Sequence, residues 1–152
     1  MKTVTVSVDV STPRERVYEY LGVMANHEQF TDHFMVDWEL SRPERGVGAT
    51  ASVRVKAPGE KERTEIVVVD AEPGRRTVEE GTGAGGRRRT RGTYTLEDLP
   101  GGGTRINFSL ELLELPARER LMGPLQRAYL KRVNGMALRR LAERLNASSS
   151  AD

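Results

Sequence analysis

A chain of 152 residues with no cysteine and a formal net charge of only +2 has the size of one domain, long enough to bury a core without staples. The missing thiols exclude a disulfide framework and thiolate chemistry, and the near-balanced charge gives no reason to expect an anionic polymer as partner. The longest apolar run, Ile66 to Val69, is too short to span a membrane; the amino-terminal residues alternate and do not read as a secretory signal, so a cytoplasmic protein is expected.

Val4, Val6, Val8 and Val10 alternate with Thr3, Thr5, Ser7 and Asp9, the period-two pattern of a strand with one buried face. Thr12, Pro13 and Glu15 then read as an N-cap, a first helical residue and a capping-box partner. The short helix that follows carries Val17, Tyr18 and Leu21 inward and ends at Gly22. Met24 to Phe30 reads as a second helical turn. Both pieces are too short to stand alone and should pack across the end of a sheet.

Phe34, Val36, Trp38 and Leu40 predict a second strand, and Ala49, Ala51, Val53 and Val55 a third. Pro58-Gly59 and Pro73-Gly74 are turn signals flanking a strand that ends in Ile66 to Val69, apolar on both faces and so expected to be central. Thr77 to Glu80 is a weak strand running into the glycine-rich stretch 81–86, read as a mobile loop. Arg87 to Leu96 and Arg105 to Leu113 are strands joined by Pro100-Gly101-Gly102-Gly103, a strong hairpin signal. Ala117 to Leu145 is the one stretch with the length and periodicity of a major helix. Leu121, Leu125, Tyr129, Arg132 and Met136 form one stripe; Leu130, Val133, Ala137, Leu141 and Leu145 form another. Gly135, costly inside a helix, marks a bend or a close approach. Residues 1–146 form a single domain, and 147–152 a polar, flexible tail.

Successive hairpin links make the sheet antiparallel, with about seven strands curling around the terminal helix. With that order in place, three features resemble a known family. The opening strand leads into Ser11-Thr12-Pro13 and Val17, and Gly92-Thr93-Tyr94-Thr95-Leu96 leads through a glycine turn to Gly103-Thr104-Arg105-Ile106, followed by the long helix. Together they resemble the START-like (SRPBCC) superfamily, nearest to its bacterial polyketide cyclase/dehydrase and lipid-transport group. The resemblance implies an α+β helix-grip fold whose helix closes a deep hydrophobic cavity. It implies a hydrophobic or amphipathic small-molecule partner (lipid, quinone or polyketide-like), with a cyclase or aromatase-type enzyme, or a protein-interaction module with a vestigial cavity, as alternatives. Function within such a superfamily has to be argued from the site.

In a hollow fold of that kind the wall is expected from Phe34, Val36, Trp38, Val53, Tyr94, Phe108 and Leu110 on the strands and from Leu125, Tyr129 and Met136 on the first helix stripe. Trp38, Tyr94 and Tyr129 each add a polar tip to an apolar body. The alternative is that all of these are simply core. Arg132 either meets a ligand's carboxylate or carbonyl oxygen or snorkels to the rim. Arg88, in phase with Tyr94, reaches toward the cavity mouth. Arg87, Arg89 and Arg91 share the opposite face, where Glu79 or Glu80 would neutralise them; without interleaved aromatics they do not read as a nucleic-acid surface. His27 and His33 are the only histidines, and a surface or loop position is expected for both. Their spacing imposes no metal site, and no nucleophile motif, phosphate loop or dinucleotide fingerprint is present, so no catalytic residue and no cofactor are implied. Oligomeric state is not encoded in any of these patterns.

Overall fold

The computed structural model describes residues 2–57 and 60–150; the Pro58-Gly59 turn and the last two residues of the expected tail lie outside them. In chain order the elements are β1 (Lys2–Val10), α1 (Arg14–Gly22), a 3-10 turn (Met24–His27), α2 (Glu28–Thr31), β2 (Met35–Ser41), β3 (Thr50–Val55), β4 (Thr64–Glu72), β5 (Arg76–Gly83), a 3-10 turn (Ala84–Gly86), β6 (Arg88–Asp98), β7 (Thr104–Glu114), α3 (Ala117–Leu121) and α4 (Gly123–Ser150). The strands form one antiparallel sheet in the order β1-β7-β6-β5-β4-β3-β2. α1 and α2 carry the chain from one edge to the other, and α4 returns across the concave face, packing chiefly on β1 and α2. This is the helix-grip arrangement of an α+β fold.

Register decides which side chains face the helix. Val4, Val6, Val8 and Val10 stand opposite Leu110, Phe108, Ile106 and Thr104. Tyr94 stands opposite Phe108 on one side and Thr77 on the other. Two apolar clusters result. The larger joins Val10, Val17, Leu21, Phe30, Tyr94, Ile106 and Phe108 to Val133, Ala137, Leu138, Leu141 and Leu145 of α4. The smaller gathers Met24, Ala49, Ala51 and Val68 with Trp38 and Ile66 at the β2–β4 end.

Several local readings shift. Pro13 is itself the cap residue of α1, its carbonyl accepting from the backbone N–H of Arg16 and Val17. β4 lies inside the sheet, yet Val69 is 39% exposed, because only the concave face is covered. The glycine-rich stretch is no loop until residue 84. Gly81 and Gly83 continue β5, paired with Thr90 and Arg88. A Cβ on Gly81 would sit 2.7 Å from Thr90 Oγ1, and one on Gly83 would sit 2.6 Å from Thr64 Oγ1, so these glycines allow polar neighbours to close over the strand. α4 runs unbroken past Asn146 to Ser150.

Candidate functional site

The helix was expected to turn its first stripe inward, and it turns the second. Leu121, Leu125 and Tyr129 are 89%, 72% and 44% exposed, and Arg132 is also exposed, whereas Val133, Ala137, Leu138, Leu141 and Leu145 are buried. The reason is physical. The second stripe carries no charge, and its Ala137 lets α4 approach the sheet closely; the first carries Arg132, whose burial would need a partner. The tip of Tyr129 reaches the Lys56 carbonyl at 3.5 Å, the outer limit of a hydrogen bond.

On the inward face of the amino-terminal half of α4, Gln126 stands one turn before the half-buried Leu130. Gln126 Nε2 donates to Glu119 Oε1 at 2.7 Å. Glu119 in turn accepts from Arg88 at 2.9 and 2.5 Å, and Arg88 also donates to Glu60 at 2.9 Å. Arg88, expected to reach toward the cavity mouth, is thus a clasp tying β6 to α3 and to the loop before β4. The two carboxylates, Glu119 foremost, hold its guanidinium firmly charged and raise its pKa. Clefts of about 460 and 520 Å³ open beside this clasp, lined by residues 60–62, 84, 87–88 and 113–120. They are charged rim features, not the interior of the grip.

Deeper on the concave face lies a second polar group that composition and spacing did not reveal. His27, expected at the surface, is buried, and so is Glu79, expected on the convex face beside the arginines. Glu80 takes that convex role and pairs with Arg91. His27 Nε2 donates to the Leu21 carbonyl at 2.7 Å, which leaves Nδ1 facing Glu79 Oε2 at 3.8 Å. That separation allows a Coulombic interaction but no hydrogen bond. Burial pushes the Glu79 carboxyl above its ordinary range, only partly offset by His27. The Tyr94 hydroxyl is held protonated, by burial first and by the charge of Glu79 second. Tyr94 meets His27 edge-on at 5.9 Å and Phe108 at 4.6 Å. His33 is structural: it accepts from Arg140 at Nδ1 and contacts the Val133 carbonyl through Nε2, pinning the start of β2 to α4.

Three buried side-chain atoms among the described residues have no hydrogen-bond partner: Thr64 Oγ1, Glu79 Oε2 and Gln126 Oε1. Thr64 is opposite Val53, and Glu79 opposite Gly92, on the concave face; Gln126 faces it from α4. Ile66, Thr90 and Leu110 on the same face are only half-buried. Each belongs to a strand paired on both sides, so their exposure arises through the concave surface. Among the described residues, no group of three or more His, Asp or Glu side chains converges to hold a metal ion, and no helix is long and apolar enough to cross a membrane.

Residues 1–146 match the family described as polyketide cyclase / dehydrase and lipid transport. The chain belongs to that family. No curated protein matches its sequence. Among solved structures it is similar to TTHA0849 from Thermus thermophilus, with 21% identity and a TM-score of 0.72 over 97% of this chain and 99% of that one. CV1439 from Chromobacterium violaceum gives 19% identity and a TM-score of 0.69 over 96% and 99%. DynU16, a protein of the dynemicin biosynthetic locus, gives 22% identity and a TM-score of 0.67 over 97% of this chain and 48% of that one. Identities this low establish the shared fold alone.

Within this member of the family the expected wall residues divide by position. Phe34, Val53, Tyr94 and Phe108 are buried, and Val36, Trp38, Leu110 and Met136 are half-buried. Trp38 donates its indole N–H to the Met35 carbonyl at 3.2 Å, so its polar tip is already engaged. Leu125, Tyr129 and Arg132 lie on the outer flank of α4, and Arg88 belongs to the clasp.

Proposed function

We propose that the chain binds a small, largely apolar molecule bearing polar groups, held between the concave sheet and the amino-terminal half of α4. The three unpartnered buried oxygens carry this reading. Buried polar atoms are almost always hydrogen-bonded, and leaving one unmet costs about 1–3 kcal/mol, so three on one surface favour an occupant that supplies donors. The half-buried Ile66, Thr90 and Leu110 support it, because they offer apolar surface at the same place. The outward Leu121, Met122, Leu125 and Tyr129 would meet such a molecule on entry.

The test is titration with N-phenyl-1-naphthylamine, a neutral apolar fluorophore, on the wild type and on Leu110→Trp. Saturable binding near one per chain, lost in the tryptophan variant while its melting temperature holds, is expected. Absence of saturable binding to the wild type overturns the reading. A cyclase-type activity at the same place is the second reading, favoured by the buried His27, Glu79 and Tyr94, three proton-active groups on one patch.

A further inference from the structure

We infer that Glu79, set beside His27, is a deep hydrogen-bond-accepting subsite that selects a neutral hydroxyl carried on a flat apolar body and rejects an anionic head. This deepens the binding reading above and rests on it.

The selection follows from what faces the carboxyl. From the 3-10 turn Glu79 meets His27; from β4 it meets Val68, opposite it in register; from β6 it meets Gly92, opposite it, and Tyr94 two residues on. The His27 Nε2 proton is committed to the Leu21 carbonyl, and Nδ1 stands 3.8 Å from Glu79 Oε2, beyond hydrogen-bond reach, so Oε2 has no donor. A ligand hydroxyl supplies one. Burial of the carboxyl, which raises its pKa, points to the same deficit of donors.

The shape of the surroundings fits a planar body. Gly92 has no side chain, and the Phe108 ring lies over it, its edge 2.9 Å from where a Cβ would stand. Phe108, Tyr94 and His27 form a run of rings at 4.6 and 5.9 Å, an arrangement that accepts further edge-to-face contact. An anionic head placed here would meet the charge of Glu79 in a region of low dielectric. The nearest arginine on the concave face of β5 and β6, Arg88, is roughly 13 Å away by strand rise and already holds two carboxylates. Fatty-acid-like entry with the carboxylate leading is thereby disfavoured.

The experiment compares three probes of one size, naphthalene, 2-naphthol and 2-naphthoate, by displacement of N-phenyl-1-naphthylamine at pH 7. In the wild type, 2-naphthol is expected to bind about tenfold more tightly than 2-naphthoate, the scale of one hydrogen bond to a charged acceptor. In Glu79→Gln that ratio should shrink several-fold while naphthalene affinity stays within about twofold and the melting temperature stays at or above wild type. If naphthalene binds but 2-naphthol shows no preference, or the preference survives Glu79→Gln, this subsite is refuted and the binding reading stands. A melting temperature well below wild type in Glu79→Gln would make the carboxyl a structural support and overturn the proposal. If none of the probes displaces the fluorophore or binds at all, the binding reading itself is refuted and the subsite falls with it.

Discussion

The two halves of α4 do opposite things with the same helical geometry. From Val133 to Leu145 its buried residues are aliphatic apart from Asn134, whose amide donates to the Leu130 carbonyl, and they sit directly on β1 and α2. From Gly123 to Arg132 the inward positions belong to Gln126, with an oxygen left unpartnered, and to the half-buried Leu130, while Leu125 and Tyr129 look outward. Gly135 falls at the passage between them, with a Cβ position 3.8 Å from Val6. One half therefore supplies stability, and the other is where the proposed ligand would sit. A fold organised this way can vary its interior surface toward different ligands without loosening the core that holds it together.

The contrast is open to direct attack. The largest effect should come from the packed half and from the clasp. Leu141→Ala removes a fully buried side chain and should lower unfolding free energy by about 3 kcal/mol in denaturant titration. Leu125→Ala on the loose half should change it by less than about 0.5 kcal/mol; equal losses would erase the distinction. Arg88→Met strands Glu60 and Glu119, both buried, and should also cost about 3 kcal/mol, the lower end for removing one partner of a buried pair. Hydrogen exchange should show that loss concentrated in α3 and the loop before β4.

Next in size is the pH dependence at Glu79. Its carboxyl is raised above the ordinary 4.5, so protonation favours the folded state. The contribution is present in full below 4.5 and is lost as pH rises through the raised value. Glu79→Gln lacks it, so the variant's melting temperature should gain on wild type as pH climbs from 4.5, with His27 and Tyr94, the titratable groups facing Glu79, retained in both. A gap that stays constant with pH would contradict the burial of this group. The smallest effect is expected at Gly135→Ala. The contact it makes with Val6 is an ordinary one, and replacing an interior helical glycine should stabilise by roughly 0.5–1 kcal/mol.

Much of the architecture was written in local patterns. Alternation in β1, β3 and β7 and the turn at 100–103 made the antiparallel sheet and its terminal helix legible, because both signals act over a few residues. The site was less so. α4 offers two apolar stripes, and only the distant β1 decides between them. Gly81 and Gly83 look like loop residues in one dimension and are strand residues because Thr90 and Thr64 close over them. Glu79 is flanked by Val78, so alternation alone points it outward. Carrying the phase of Tyr94 back through the 84–86 turn, with Gly83 opposite Arg88 and Glu79 opposite Gly92, would have turned it inward. His27 sits in a turn too short to carry any periodicity, and nothing nearby announces its burial.

The pairing of β1 with β7 bears on how the chain comes off the ribosome. Val4 to Val10 must wait about a hundred residues for the strand that covers them, and longer for α4. Contacts this distant in sequence slow folding, and a strand left unpaired meanwhile is a hazard for association between nascent chains. The alternating Thr3, Thr5, Ser7 and Asp9 keep the other side of that strand polar, a precaution suited to a segment made long before the strand that shelters it.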